Sequence, residues 1–512
     1  MDIKLYDTTL RDGSQQEGIS LSVEDKIKIT KKLDDLGVDY IEGGWPGSNP
    51  KDQEYFELVK SLPLRNAQIA AFGSTRRAGI SVQDDGNIKA LLDSEAPVVT
   101  LVGKSSDLQV INVLETTLEE NLSMISDSIS FLKENGRIVF FDAEHFFDGY
   151  KSNPDFAICC VKAAYETGAR WVVLCDTNGG TLPEEIERIV EKVIPHVSGE
   201  NLGIHCHDDT GNAVSNSLAA VKAGVRQVQG TLNGLGERCG NANLITLIPS
   251  LAFKMGFKLG MDDKDLGRLT RLSRFLDDRL NRTPDSSAPY VGDRAFAHKG
   301  GLHVSAIEKD PKTYEHIAPE KIGNQRNVVV SDQSGRSNVL ARFREIGINV
   351  EAEDKKVSDL LEEVKQREHD GYAYDGAEAS FELLARRALD NVPEYFLLQS
   401  FRVMDERRWN AKGELITLSE ATIKIKIRGN TLMTVAEGNG PVNALDNALR
   451  KALNSAYPQL EDMRLVDYKV RIISSNAGTE AITRVMIESI DDNGERWATV
   501  GVSANVIDAS YN

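Results

Sequence analysis

The chain has 512 residues, 41% of them hydrophobic and 27% charged, with a formal net charge of −18 at pH 7. That balance supplies apolar material for the cores of about two to four domains. The acidic balance argues against a nucleic-acid binder, which presents a basic face, and no apolar run approaches the roughly 18 residues that mark a membrane span.

Met1-Asp2-Ile3-Lys4 leads straight into a strand pattern, so no signal or transit segment is expected. Strand-like runs follow at Ile3–Leu10, Tyr40–Gly43, Gln68–Phe72, Val98–Val102, Ile138–Asp142, Trp171–Asp176, Leu202–His207 and Gln227–Gly230. Helical patterns separate them, among them Val23–Leu36, Gln53–Leu62, Leu118–Glu134, Pro154–Thr167, Pro183–Ile194, Asn212–Ala223 and Leu244–Met255. This α/β alternation predicts a (β/α)8 TIM barrel over residues 1–265. The doubly wound alternative lacks a Gly-x-Gly-x-x-Gly after its first strand. Cys159, Cys160, Cys175, Cys206 and Cys239 show no framework spacing and read as buried thiols of a cytoplasmic protein.

A barrel carries its chemistry at the C-terminal ends of its strands. Those ends here hold Arg11-Asp12, Asp142-Ala143-Glu144-His145, Asp176-Thr177-Asn178, His205-Cys206-His207-Asp208 and Gly234-Leu235-Gly236-Glu237-Arg238-Cys239-Gly240-Asn241. Each segment alone suits a turn or cap; five together point to a site. In His-X-His on a strand the two imidazoles share a face. His205 and His207 therefore form a pincer for a divalent ion, with Asp12 as a hard third ligand. The plain alternative is two surface histidines at a strand edge.

Residues 266–392 read as small helical subdomains joined by loops, with helices near Arg268–Leu280, Asp354–Gln366 and Ala377–Leu389. Phe296-Ala297-His298-Lys299-Gly300-Gly301-Leu302-His303 is a glycine-hinged stretch, and His303 there is equally a turn residue or a functional one. Residues 393–512 look like an internal α+β repeat. The alternation Thr422–Ile427 and the helix Pro441–Leu453 open one pass; Asp467–Ile473, a hairpin at Asp491–Gly494 and a helix from Val506, cut off at Asn512, make the second. The turns Gly438-Asn439-Gly440 and Ser475-Asn476-Ala477-Gly478 expose amides suited to a small anion, or are plain turns. Such a module suits assembly or regulation.

Thr8-Thr9-Leu10-Arg11-Asp12-Gly13, His205-Cys206-His207-Asp208 and Gly234–Asn241 strongly resemble the 2-isopropylmalate, homocitrate and citramalate synthases, metallolyase-type TIM barrels with a regulatory, dimer-forming tail. The likeness spans essentially the whole chain. Glu42-Gly43-Gly44-Trp45-Pro46-Gly47-Ser48-Asn49-Pro50, Ala71–Arg77, Gly103-Lys104-Ser105 and Tyr314-Glu315-His316-Ile317 are most similar to the long-chain citramalate synthases. The resemblance implies a Claisen condensation of acetyl-CoA with pyruvate, followed by thioester hydrolysis. It implies a zinc, magnesium or manganese ion on Asp12, His205, His207 and Asn241, Arg11 at the developing oxyanion and Thr177 on the keto-acid carboxylate. Glu144 orients a ligand or water or shares proton transfer. His303 is the implied base, contributed in relatives by a partner subunit's linker, with Tyr314 beside the acetyl-CoA site. Where relatives carry an aspartate two positions after that histidine, this chain has Ser305. The keto-acid pocket, leucine and tyrosine in relatives, is matched by Phe72, Val102 and Asp142. A homodimer and an isoleucine effector on the tail complete the expectation; a dimerisation module without effector is the simpler version. The rivals are an isopropylmalate synthase using 2-oxoisovalerate, a metal-dependent lyase and a non-enzymatic binding barrel.

Overall fold

The computed structural model describes residues 2–280, 282–328, 340, 342–343, 355–388, 392–473, 481–492 and 495–512. Eight parallel strands close in sequence order into a barrel: β1 Lys4–Asp7, β2 Tyr40–Gly44, β3 Gln68–Ser74, β4 Val98–Lys104, β5 Ile138–Glu144, β6 Trp171–Asp176, β7 Leu202–Cys206 and β8 Gln227–Gly230. Strand alternation splits their side chains into two sets. Tyr6, Ala70, Val98, Phe140, Trp171, Val173 and Cys175 fill the barrel interior, while neighbours such as Leu5, Val99, Leu101, Phe141 and Val172 face the surrounding helices.

Local chemistry sets the helix limits. Helix α1, Val23–Leu36, starts at a Ser22/Asp25 capping box and stops at Gly37, whose φ of 95° favours glycine. The next helix, α2, begins three residues earlier than the apolar pattern suggested, at Pro50 behind an Asn49 cap, and spans Pro50–Val59. Leu244–Pro249 is α-helical and then passes into a π-helical turn over Ser250–Lys254.

The chain divides into two compact units: residues 1–296 with 316–326, and residues 297–315 with 327–512. The stretch expected to be a helical linker is therefore shared between them. Leu269, Leu272 and Leu276 from the helix Leu269–Arg279 join the core of the barrel unit, as do Tyr290, Val291, Phe296 and Ile322. Residues a simple pattern assigns to a linker are here part of the barrel's own packing.

In the second unit, helices Lys355–His369 and Glu378–Ala388 share a core that includes Val500. The tail holds two three-stranded antiparallel sheets, Leu397–Trp409, Leu415–Ile427 and Asn430–Gly438, then Arg464–Ile472, Thr483–Ile490 and Arg496–Ser503. A helix follows each, Pro441–Leu453 and Val506–Tyr511, as the repeat predicted. Ile423, Ile425 and Ile427 are buried while Lys424 and Lys426 are exposed, so the period of two is that of a one-faced strand. Arg428 and Gly429, both with positive φ, turn the chain between Ile427 and Asn430. The Ser475–Gly478 turn lies outside the described residues, as does the end of the Asp491–Gly494 hairpin.

The five cysteines are unpaired, but only Cys160, Cys175 and Cys206 are buried; Cys159 and Cys239 are exposed. Cys159 sits on the helix Pro154–Thr167, whose buried face is set by Phe156, Ala157, Cys160, Val161 and Ala164, and Cys239 sits in the loop after β8. Among the described residues, no helix is long and apolar enough to cross a membrane.

Candidate active site at the barrel mouth

A cavity of about 680 Å³ opens at the C-terminal ends of the strands, with Arg11, Asp12, Phe72, Val102, Glu144, Thr177 and His207 in its wall. Strand geometry puts them there. On β4, Val98, Thr100, Val102 and Lys104 share the inward face, and β5 pairs Lys104 with Glu144 in register.

Asp12, His205 and His207 present ligand atoms that all lie within 4.8 Å of one another, and all three are buried. The His205 Nδ1–H donates to Gln229 Oε1 (3.0 Å), and Gln229 in turn donates to Asp142 Oδ1 (3.1 Å). This relay fixes the His205 tautomer and leaves the Nε2 lone pair facing His207 Nε2 at 3.4 Å and Asp12 Oδ2 at 3.5 Å. A lone pair turned toward a carboxylate oxygen is repulsive unless a cation lies among them. Burial lowers the affinity of His205 for a proton, and burial together with His205 brings His207 down to about 4. Burial opposes ionisation of Asp12 as well, but the Arg11 guanidinium, with the Asn241 amide donating to it, holds its carboxyl at about 2. At neutral pH the cluster is thus two neutral imidazoles and one carboxylate, the protonation states a divalent ion requires.

The loop after β8 supplies a fourth group. Asp208 N donates to Gly240 O (2.9 Å) and Ala242 N to Cys206 O (2.9 Å), which pins Asn241 beside His207. Asn241 Nδ2 donates to Asp12 Oδ1 (3.0 Å), while its Oδ1 is buried without a partner, as is His207 Nδ1. Gly236, with φ of 155°, permits this approach, because a Cβ there would collide with the Asn241 amide. The orphaned Asn241 Oδ1 beside a neutral histidine pair and a carboxylate fits a metal ion.

Arg11 is held from two sides. Its Nε donates to Glu42 Oε1 (2.5 Å), Nη1 donates to Asp12 Oδ2 (3.0 Å), and the guanidinium lies 3.8 Å from the Phe72 ring centroid. Burial works against the charge, and Glu42 and Asp12 more than offset it. Glu42, fully buried, also accepts from Tyr6 Oη and Thr8 Oγ1, each at 2.5 Å. Glu42 and Gln229 were not singled out as site residues from the sequence, because both lie inside strands; Glu42 opens the stretch Glu42–Pro50 that carries the family likeness, but no role followed from that. The signal for Gln229 was a polar residue on the inward face of a strand.

Thr177 Oγ1 accepts the backbone N–H of His145 (2.8 Å), which leaves the hydroxyl proton free to donate elsewhere. His145 holds that position with φ of 57°, a left-handed conformation uncommon outside glycine. Glu144 forms an ion pair with Lys104 across β5 and β4, and both line the cavity.

Asp142 is placed differently from the expectation of a substrate contact. It is 3% exposed, does not line the cavity, and sits behind it in the relay to His205. An aspartate is short, so it ends among the interior groups where a longer side chain would reach the mouth. Burial, then Glu42, pushes its carboxyl up to about 8. Between the unfolded value near 3.8 and about 8 the folded state holds the extra proton, so this group lowers stability as pH rises through that window. Asp142→Asn should therefore raise the melting temperature relative to the parent by a margin that widens from about pH 4 to about pH 8. A margin independent of pH in thermal scans would contradict this.

His303 and Tyr314 lie in the second unit, with rings stacked at 4.2 Å between centroids. His303 stands on the helix Gly301–Lys309, and Tyr314 is half exposed. The structure thus brings Arg11, Asp12, Phe72, Val102, Glu144, Thr177, His205, His207 and Asn241 to the barrel mouth, and His303 with Tyr314 to each other.

Comparison with known proteins places the chain in a family. The HMGL-like family profile matches residues 2–275, the homocitrate synthase post-HMGL domain-like profile residues 290–371, and the LeuA allosteric (dimerisation) domain profile residues 375–512. The chain is 54% identical over 509 residues to the (R)-citramalate synthase of Geobacter sulfurreducens, covering 99% of this chain and 95% of that one. It is 51% identical over 509 residues to the (R)-citramalate synthase of Aquifex aeolicus, covering 99% and 96%. Among solved structures, the hydroxymethylglutaryl-CoA lyase of Pseudomonas aeruginosa aligns with a TM-score of 0.48 and 22% identity, over 56% of this chain and 96% of that one. With its barrel, post-barrel and tail segments all matched in order, the chain belongs to the HMGL-like family and, within it, to the citramalate synthase group.

Proposed function

We propose that the protein condenses acetyl-CoA with pyruvate and releases (R)-citramalate and CoA, an acyl transfer in which the acetyl group becomes an alkyl group. The observation that carries this reading is the Asp12–His205–His207 cluster at the wall of a cavity that also holds Arg11 and Thr177, in a chain related end to end to enzymes of that name.

Asp12, His205, His207 and Asn241 would hold a divalent ion, and zinc, magnesium and manganese all suit that donor set. Bound there, such an ion would supply Lewis acidity for polarising the keto group of pyruvate. Arg11, fixed by Glu42 and Phe72, sets a permanent positive charge beside the oxygen on which negative charge develops. Thr177, its oxygen already occupied by His145 N–H, donates its proton to the pyruvate carboxylate. Phe72 and Val102 give the methyl group an apolar wall. The base for the acetyl methyl proton is the His303 imidazole contributed by a partner subunit's linker, with Tyr314 against its ring. Glu144 orients the water that hydrolyses the thioester. The tail forms the homodimer and binds isoleucine as feedback effector, in a cytoplasmic enzyme.

Chiral chromatography of the product tests the reaction. Incubation with acetyl-CoA and pyruvate should give the R enantiomer of citramalate in one-to-one ratio with CoA; CoA without citramalate would reduce the activity to hydrolysis and refute the proposal.

A further inference from the structure

Lys104 is the one lysine among the described residues lining the cavity, and its place is built in. The inward face of β4 runs Val98, Thr100, Val102, Lys104, so the strand itself aims the side chain into the mouth. Asn121 Nδ2 donates to Lys104 O (2.9 Å) and Ser105 N to Glu144 O (3.0 Å), which fixes the backbone on both sides of the pair.

The cavity's arginines are committed. Arg11 answers to Glu42 and Asp12, Arg76 to Glu120 and Asp127, Arg77 to Asp85, and Arg238 to Asp209. The Lys104 ammonium meets Glu144, itself a wall residue, and an ammonium has three N–H groups to give. Its side chain is 19% exposed, screened from bulk water and open to the cavity. Arg76, Arg77, Val113, Leu114 and Met124 line the same cavity as this pair and His207. On the condensation reading this cavity takes the thioester as well as the keto acid, and Lys104 in its wall has N–H groups to give beyond the one that meets Glu144.

We propose that Lys104 is a further catalytic residue, donating a hydrogen bond from Nζ to the thioester oxygen of acetyl-CoA as the enolate forms. In that step the methyl proton passes to the base, the C–H pair becomes the C=C bond, and the carbonyl π pair settles on oxygen. Lys104 keeps its proton throughout and stabilises the new charge. The role rests on the condensation reading above.

The test compares the metal-loaded full-length parent with Lys104→Met and Lys104→Arg, using acetyl-CoA and its trideuterated methyl form. Lys104→Met should lower kcat about a hundredfold, leave the KM for pyruvate within about twofold, and turn over more slowly still with the deuterated methyl group, because proton removal limits it. Lys104→Arg, which keeps the cation and guards against a variant that misfolds, should recover part of the rate. A slow Met variant insensitive to deuteration, a large rise in pyruvate KM with kcat retained, or unchanged turnover would each overturn the assignment. Absence of CoA release from the parent itself would refute the condensation reading instead.

Discussion

His207→Ala should remove bound metal and turnover together. His207 points its Nε2 at His205 and its burial keeps it neutral, so it offers a lone pair where no solvent replaces it. Taking away one of two imidazoles leaves Asp12, His205 and Asn241, a weaker and more open donor set. If the ion contributes several kcal/mol to stabilising the transition state, the rate falls by at least about a thousandfold. The side chain faces the cavity rather than the apolar core, so the fold should survive. Elemental analysis, circular dichroism and CoA release on one preparation check all three. Metal retained at parent stoichiometry with activity lost would move His207 from ligand to another role.

Glu42→Gln should be the second large effect, although Glu42 need not touch substrate. Its carboxylate receives Arg11 Nε, Tyr6 Oη and Thr8 Oγ1 in a fully buried setting. An amide supplies one acceptor oxygen instead of two and turns N–H groups toward donors. The guanidinium is then left buried with Asp12 as its only carboxylate, which draws it toward the proposed metal ligand and away from the keto oxygen. Breaking a buried pair from one side costs about 3 kcal/mol or more, and a misplacement of about 1 Å at a reacting centre costs about a hundredfold in rate. Denaturant midpoints and kcat should therefore both fall. A variant with parent stability and rate would show that Asp12 and Phe72 suffice to fix Arg11.

The barrel was legible because its strands are short apolar runs at regular spacing, and five of them end in groups that a core would not tolerate. Asp12, His205 and His207 were legible for a related reason, since His-X-His places both rings on one face whatever the surroundings. Glu42, Gln229 and Lys104 were not, because their meaning depends on which strands become neighbours. Gln229 matters only once β8 lies beside β7, and Lys104 only once β4 pairs in register with β5. Asp142 shows the limit from the other side. Its position in the chain matches a pocket residue, but its length decides what it reaches. The stretch after residue 265 misled for a similar reason, because Leu269, Leu272 and Leu276 form an amphipathic helix whose partner, the barrel, is not readable locally.

The most direct measurement is CoA release by the purified protein with acetyl-CoA and one keto acid at a time, pyruvate, 2-oxoisovalerate or 2-oxoglutarate, each with and without a chelator. The account predicts clear preference for pyruvate, abolished by the chelator and restored by adding a divalent ion. Preference for 2-oxoisovalerate, or release with pyruvate that survives complete metal removal, would contradict it.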